Sequence, residues 1–327
     1  MRSTIRKVAF WLAPAVFACA ASALAQDKPS SYPSRPIRIV ITVSPGAGAD
    51  FMARTVAQLL SERWGQNVVV DSRPGGSGVV AVELVARAAP DGYTVLQYGN
   101  AMLLMGAQKR VPFDVLKAFE PVVGISEQPY ILLVHPNVPA KTIKELVALS
   151  ASKPLTYSGG GGVGATVHVG MERLAKITGM KLKYIPYKGS SPAIRALMGG
   201  ELNLAVGSAM ASTAAIRSGK VRGLAVLGAK RIAAAPDLPS LPENGTTGYT
   251  LTNQYNWWVP AKTPPAVIAA INRAVTEGMN TPQMVKRLEA EGSEPADRMT
   301  PAELKKAVAR EYVEIERAVK ELNLKLQ

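Results

Sequence analysis

The sequence has few of the residues that usually build catalytic and metal sites. Among 327 residues there is one cysteine, Cys19, and there are two histidines, His135 and His168. Because zinc sites draw most of their ligands from cysteine and histidine, a His/Cys zinc site is excluded. The G-x-S-x-G motif that carries the nucleophile of many hydrolases is also missing. We therefore predict neither a cofactor nor a metal.

Long apolar runs are missing too, apart from one short segment near the start of the chain. A basic beginning, an apolar segment over residues 8–18 and the small-residue site Ala23-Leu24-Ala25 follow one another. This order is typical of a secretory signal peptide, and the apolar segment is too short for a transmembrane helix. We expect residues 1–25 to direct export to the periplasm and to be removed after Ala25. Lipidation of Cys19 stays open as an alternative.

Acidic residues are scarce relative to basic ones. The chain has 38 lysines and arginines against 24 aspartates and glutamates, which gives a formal net charge of +14. The basic residues are spread along the chain without a block of five or six. This distribution favours a solvated surface that attracts small anions, and it does not indicate a nucleic-acid partner.

The rest of the chain alternates β-branched runs with amphipathic helical patterns. Such alternation predicts an α/β fold with doubly wound parallel sheets. The strands fall into two sets, so we expect two lobes with a cleft between them. Lobe 1 is predicted to contain residues 26–127 and 254–327, and lobe 2 residues 128–253. The principal predicted strands are Ile37–Val43, Val68–Asp71, Tyr93–Tyr98, Gln128–His135, Leu202–Val206 and Val221–Leu227.

Two glycine-containing turns connect a predicted strand to a predicted helix. One covers residues 44–50 and the other residues 158–168. Glycines let backbone N–H groups approach a ligand closely, and a helix N-terminus adds unpaired donors and a positive dipole end. The turns are therefore predicted to bind an anion without a charged side chain. We expect Asp50 to be a helix N-cap and His168 to be a buried histidine that anchors the second turn.

The second turn has two other interpretations. Gly159, Gly161 and Gly164 satisfy the G-x-G-x-x-G fingerprint of dinucleotide-binding folds. That fingerprint also needs an acidic residue about 20 positions further on, and no acidic residue occurs between Glu172 and Glu201. A tight turn that binds no ligand is the remaining alternative.

Several short motifs occur in order along the chain and resemble those of one family. The array is similar to the Bug family, the periplasmic solute receptors of tripartite tricarboxylate transporters, and it covers nearly all of the mature chain. The motifs are Tyr32-Pro33-Ser34-Arg35-Pro36, Pro45-Gly46 with Asp50, Arg73-Pro74-Gly75, Ala89-Pro90-Asp91-Gly92-Tyr93, Pro112-Phe113-Asp114, Gly162-x-Gly164-x-x-x-His168 and Pro186-Tyr187-Lys188-Gly189.

The resemblance implies a two-lobed, Venus-flytrap binding protein that closes on a small carboxylate. It implies that backbone N–H groups of Ser44–Ala49 and Gly162–Thr166 hold the carboxylate. We expect Tyr98, Tyr255 and Trp257 among the residues of the variable cleft wall. Ala47 and Ala165 depart from the residues usual in the family, and Lys188 is expected at the rim of the cleft or on a turn. The candidate ligand-binding residues are Ser44, Gly46, Ala47, Asn100, Gly162, Gly164, Ala165, Thr166, Ser208 and Asn256.

We therefore predict an exported, monomeric, non-enzymatic receptor for a small organic acid, with the membrane components of a tripartite transporter as partners. The alternative is a secreted α/β hydrolase-like enzyme that acts on a small anionic ester. The lack of a nucleophile–base pair in the sequence argues against that alternative. The sequence leaves open whether the ligand is a tricarboxylate, a dicarboxylate, an amino acid or an aromatic acid.

Overall fold

The computed structural model of the chain describes residues 32–45, 48–159, 162–187, 189–290 and 292–322. The predicted signal peptide with Cys19 lies outside these ranges, as do Gly46, Ala47 and Lys188. Within these ranges, no helix is long and apolar enough to cross a membrane.

Strands and helices alternate through the first part of the chain. The order is β1 (Ile37–Ile41), α1 (Gly48–Trp64), β2 (Val68–Ser72), α2 (Val79–Ala86), β3 (Thr94–Tyr98), α3 (Ala101–Ala107), α4 (Val115–Ala118) and β4 (Phe119–Val134), with a short 3-10 helix at Gly76–Gly78.

The alternation continues and then gives way to helices. The elements are α5 (Ile143–Ser150), β5 (Leu155–Ser158), α6 (Thr166–Thr178), β6 (Leu182–Tyr184), α7 (Ser190–Met198), β7 (Leu204–Ser208), α8 (Ala209–Arg217), β8 (Arg222–Val226), a 3-10 helix at Pro242–Asn244, β9 (Thr252–Pro260), α9 (Pro265–Met279), α10 (Pro282–Ala290), β10 (Glu294–Pro295) and α11 (Pro301–Glu321).

The described strands are hydrogen-bonded in the order β2-β1-β3-β9-β4-β7-β5-β6, and β8 and β10 also pair with β4. Parallel pairing occurs around β1 and around β5, as the βα alternation predicts. The pairs made by β4 and β9 are antiparallel. The chain passes between the two halves of the molecule in opposite directions along β4 and β9. These two strands are therefore antiparallel to each other.

The long strand β4 belongs to both halves of the sheet. Its residues 119–129 pair with β9, and its residues 130–134 pair with β7. Buried side chains around β1 and β3 pack with α1, α9 and α11, whereas those around β5 and β7 form separate clusters with α5, α6 and α7. The predicted two-lobed α/β fold is confirmed, with β4 and β9 connecting the lobes.

Local capping residues fix the beginnings of two helices, α5 and α11. Thr300 and Glu303 form a complete capping box at α11. At α5, the Thr142 hydroxyl accepts a hydrogen bond from the N–H of Glu145, but the Glu145 carboxylate accepts one from the N–H of Lys141. The second box is therefore displaced by one residue.

Two expectations about individual side chains are wrong. Trp257 was expected in the cleft wall, but Trp257 and Trp258 are both fully buried on opposite faces of β9. The reason is that β9 is a central strand covered on both faces. Asp50 is the third residue of α1 rather than its N-cap, and its carboxylate forms an ion pair with Arg54.

Candidate functional site

A cavity of about 440 Å³ lies where the second part of β4 and the first part of β9 meet the carboxyl ends of β5 and β7. We refer to it as the cleft cavity. Residues of both lobes line it. They are Gly48, Phe51, Met52, Gln128, Tyr130, Gly159, Ala165, Thr166, Val167, Gly189, Ser190, Ser208, Met210, Asn253, Tyr255 and Ser293.

Four helices begin at the cleft cavity. Gly48 starts α1 in lobe 1, while Thr166, Ser190 and Ala209 start α6, α7 and α8 in lobe 2. None of the described lining residues carries a charged side chain. A helix N-terminus has unpaired N–H groups and a partial positive charge, so four of them make the cavity favourable for an anion.

The start of α6 provides specific donors at the cavity wall. Ala165 is the N-cap of α6 in extended conformation, with φ −72° and ψ 164°. The N–H groups of the first helical residues, Thr166 and Val167, have no acceptor within the helix. Both residues line the cleft cavity, so their N–H groups are the best-placed donors for a ligand on this helix.

The preceding turn uses its own N–H groups internally. The N–H of Gly164 donates to His168 Nδ1 over 2.9 Å, and the N–H of Ala165 donates to the Gly162 carbonyl over 3.3 Å. The Tyr184 hydroxyl also donates to the Gly162 carbonyl over 3.0 Å. The glycine turn therefore positions α6 and does not itself supply these two donors.

His168 is the buried anchor that the sequence predicts. Its imidazole stacks on the Tyr184 ring with 4.0 Å between the ring centres, and its Nε2 lies 4.0 Å from a Glu172 carboxylate oxygen. Burial lowers the pKa of His168 below its usual 6.5. The neutral ring can therefore accept the hydrogen bond from Gly164 at Nδ1.

Two buried glutamines hold the backbone at the beginning of the two helices. Gln97 Nε2 donates to the Ala49 carbonyl over 2.7 Å, in the first turn of α1. Gln108 Nε2 donates over the same distance to the Gly164 carbonyl, just before α6. Neither glutamine was predicted from the sequence, because each contact joins residues about 50 positions apart.

The structure brings together only part of the predicted site. Ala165, Thr166 and Ser208 line the cleft cavity. Gly164 lines a neighbouring cavity of about 310 Å³ that also contacts Ala165, Thr166 and Tyr98. Gly162 is in the turn that precedes α6, and Ser44 is exposed, two residues before the undescribed Gly46.

Asn100 and Asn256 lie elsewhere. The Asn100 amide donates to the Thr252 carbonyl over 3.1 Å and lines a different cavity, with Arg173 and Glu311. Asn256 is on the face of β9 opposite to Asn253 and Tyr255, which line the cleft cavity. Successive side chains of a strand point to opposite faces, so Tyr255 and Asn256 do not share the cleft wall.

Several lining residues were missed by the sequence analysis. Ser190 follows Gly189 at the start of α7, and this third glycine turn before a helix was a usable signal. On β4 the side chain of Tyr130 points to the opposite face from those of its neighbours Pro129 and Ile131. Which of the two faces borders the cleft is visible only in the structure. Met210, Asn253 and Ser293 meet at the cavity solely through tertiary packing.

The two-lobed α/β fold with an interlobe cavity surrounded by helix N-termini defines the class of periplasmic binding proteins. Within this class the chain belongs to the tripartite tricarboxylate transporter receptor family, whose model matches residues 52–324. The family resemblance predicted from the sequence motifs is thereby confirmed.

Known relatives cover almost the whole chain. The protein BugT of Bordetella pertussis is 30% identical, over 95% of this chain and 97% of that protein. An R. palustris protein solved with adipate is 28% identical, with a TM-score of 0.73 over 90% of this chain and 99% of the other. A TctC solute-binding protein from Polaromonas has a TM-score of 0.78 over 89% and 99%, and its 24% identity supports the fold alone.

Proposed function

We propose that this protein is a periplasmic receptor that captures a small organic carboxylate for a tripartite tricarboxylate-type transporter. The observation that carries the proposal is the cleft cavity, in which helices from both lobes begin and no charged side chain of the described lining residues is present. Such a cavity favours an anion through backbone donors. The similarity to a relative solved with adipate supports a carboxylate as that anion.

The expected strength of binding is compatible with a receptor. A hydrogen bond to a charged acceptor contributes roughly 1.5–3 kcal/mol, and micromolar affinity corresponds to about −8 kcal/mol. Donors at the starts of α1 and α6, together with the polar groups of Ser190 and Ser208, are numerous enough once ordering costs are subtracted. A receptor binds and releases its ligand without breaking a covalent bond. The proposed role is therefore not that of an enzyme.

The proposal includes the processing and the organisation of the chain. Residues 1–25 are removed as a signal peptide, and the mature protein is a monomer. Lobe 1 contains residues 26–127 and 254–327, and lobe 2 contains residues 128–253. With these boundaries the chain passes between the lobes at residues 127–128 and again at residues 253–254. The pairing of Gln128 with Asn253 supports them, because both passages then lie side by side in the β4–β9 ladder.

A thermal-shift screen with citrate, malate, adipate, glutamate and benzoate tests the function. At least one acid should raise the melting temperature in a concentration-dependent manner. Mass spectrometry of the recovered acid then separates the two function classes, because a receptor releases it unchanged. An ester panel should be neither bound nor hydrolysed. Failure of every acid to bind, or turnover of an ester, would contradict the proposal.

A further inference from the structure

The short helix α3 of lobe 1 is hydrogen-bonded near both of its ends to other parts of the molecule. Before its first residue, the side chain of Asn100 donates to the Thr252 carbonyl at the connection between the lobes. After its last residue, the side chain of Gln108 donates to the Gly164 carbonyl in lobe 2. α3 thus links the interlobe strand β9 to the turn before α6.

The end of α3 holds Gln108 in a defined position. The N–H of Arg110 donates to the Met105 carbonyl and that of Lys109 to the Gly106 carbonyl, which is the pattern of a Schellman motif. Lys109 adopts φ 53° in this motif. Gln108 itself is only 8% exposed, so its amide has little freedom to find another acceptor.

Gln108 completes the fixation of the two peptide groups that flank the Cα of Gly164. The Gly164 N–H is bound by His168 of lobe 2, and the Gly164 carbonyl is bound by Gln108 of lobe 1. The next two residues, Ala165 and Thr166, line the cleft cavity. Rotation of the Gly164 backbone would turn the first N–H groups of α6 away from a ligand, and the two hydrogen bonds together prevent this rotation.

We propose that Gln108 is a positioning residue that couples closure of the lobes to the geometry of the carboxylate site. The inference rests on the receptor function proposed above. The Gln108–Gly164 hydrogen bond joins the two lobes, so it forms when they approach and is replaced by water when they separate. It therefore stabilises the closed, ligand-bound arrangement and contributes nothing to the folding of either lobe alone.

Substitution of Gln108 separates this role from a structural one. Gln108→Met preserves the length of the side chain and removes the donor. Adipate and the other acids of the panel are titrated into the wild type and the variant by calorimetry, and dissociation rates are measured by stopped flow. We expect the acid that binds the wild type most tightly to bind Gln108→Met about three- to tenfold more weakly, mainly through faster dissociation. The melting temperature of the ligand-free protein should not change.

Gln108→Glu gives a second, independent readout. When ionised, the new carboxylate repels the Gly164 carbonyl, and when protonated it can donate to it. The affinity of Gln108→Glu for the acid, relative to that of the wild type at the same pH, should therefore recover as the pH is lowered. Gln58→Met is the matched control, because Gln58 is exposed and its amide donates to Glu62 of its own helix in lobe 1.

The outcomes distinguish this inference from the function on which it rests. If the wild type binds no acid, the receptor function itself is contradicted. If the wild type binds an acid and Gln108→Met binds it equally tightly, only the role of Gln108 is overturned. Equal losses of stability in the ligand-free and ligand-bound Gln108→Met protein would also overturn it, since they would show a purely structural contact.

Discussion

The imidazole Nδ1 of His168 accepts a hydrogen bond from the backbone N–H of Gly164, with 2.9 Å between the two nitrogens. The sequence places Gly164 at the centre of the predicted anion site, but its N–H already donates to His168 and is not available to a ligand. We therefore expect the donors for a ligand two and three residues further on, at Thr166 and Val167 of α6. Gly164 acts by shaping the turn, with φ 77°, a conformation that glycine adopts without strain.

This contact predicts a pH dependence of stability. Burial lowers the pKa of His168 below 6.5, so the unfolded chain binds its proton more readily than the folded protein. The contribution of neutral His168 is therefore complete above pH 6.5 and decreases as the pH falls below it. Urea unfolding of the wild type and of His168→Gln should show a stability difference that shrinks from pH 7.5 to pH 5.5.

The difference between the two proteins is the relevant quantity, because buried carboxylates titrate as well. Burial raises the pKa of Glu172, whose carboxylate faces both His168 and the Tyr157 hydroxyl. His135→Gln corrects for the general effect of replacing a histidine. A stability difference that does not depend on pH would contradict the neutral, hydrogen-bond-accepting His168.

Gln97 should be important for folding even without a ligand. It donates to the Ala49 carbonyl and accepts from the Trp257 indole N–H, and all three groups lie in lobe 1. Gln97→Met leaves the buried Trp257 N–H without its acceptor, which costs about 1–3 kcal/mol, and it also removes the side-chain hydrogen bond to the Ala49 carbonyl. Denaturant unfolding of the ligand-free protein measures this loss. Gln58→Met should unfold like the wild type, and an equally stable Gln97→Met would refute the assignment.

Lys109 offers a stabilising substitution. Its φ of 53° is in the left-handed region, which costs a residue with a side chain roughly 1–2 kcal/mol, while glycine loses some of this gain through its greater flexibility in the unfolded chain. Lys109→Gly should therefore raise the free energy of unfolding by up to about 1 kcal/mol. Lys109→Ala removes the same charge and side chain without relieving the backbone, so it should bring no gain. A gain from both substitutions would show that the lysine side chain, not its φ, is unfavourable.

The sequence was sufficient for the elements but not for the contacts between them. The β-branched run at Ile37–Val43 is a local signal, and a strand occurs there as β1, over Ile37–Ile41. The capping box of Thr300 and Glu303 at α11 is likewise a local signal. The cleft position of Trp257 was a wrong prediction, because an apolar strand sequence does not reveal whether one or both faces are covered. Asn256 was placed beside Tyr255 although alternation along β9 separates them.

The contacts of the two buried glutamines could not be predicted from the sequence. Gln97 and Gln108 each bind a backbone carbonyl, and any segment of the chain offers such an acceptor. No residue pattern marks the partner, so only the three-dimensional arrangement identifies it. His168, by contrast, binds an amide four residues earlier, and that proximity made its anchoring role predictable.

Closure of the lobes on a ligand should be visible in solution. β4 and β9 connect the lobes as two neighbouring strands, so the lobes can rotate about them. Small-angle scattering should show a smaller radius of gyration when the acid identified by the thermal-shift screen is added. The ligand-free protein with an equal concentration of chloride is the control for ionic strength. An unchanged radius in the presence of a tightly bound acid would exclude the clamshell mechanism.

We propose that backbone N–H groups at the starts of helices hold the carboxylate. At position 166, the first residue of α6, one such N–H can be removed with little disturbance of the helix. Proline is well tolerated as the first residue of a helix. Ala165, with ψ 164°, already has the extended conformation that a following proline requires. Thr166→Pro therefore removes the amide donor while preserving the helix, and Thr166→Val removes only the hydroxyl.

Isothermal titration of the screened acid into the wild type, Thr166→Val and Thr166→Pro is the most direct measurement. Loss of one hydrogen bond to a charged acceptor corresponds to roughly tenfold to hundredfold weaker binding. We expect a loss of this size for Thr166→Pro relative to Thr166→Val, with unchanged melting temperatures of the ligand-free proteins. Equal affinities of Thr166→Pro and Thr166→Val would show that the N–H at the start of α6 does not hold the ligand.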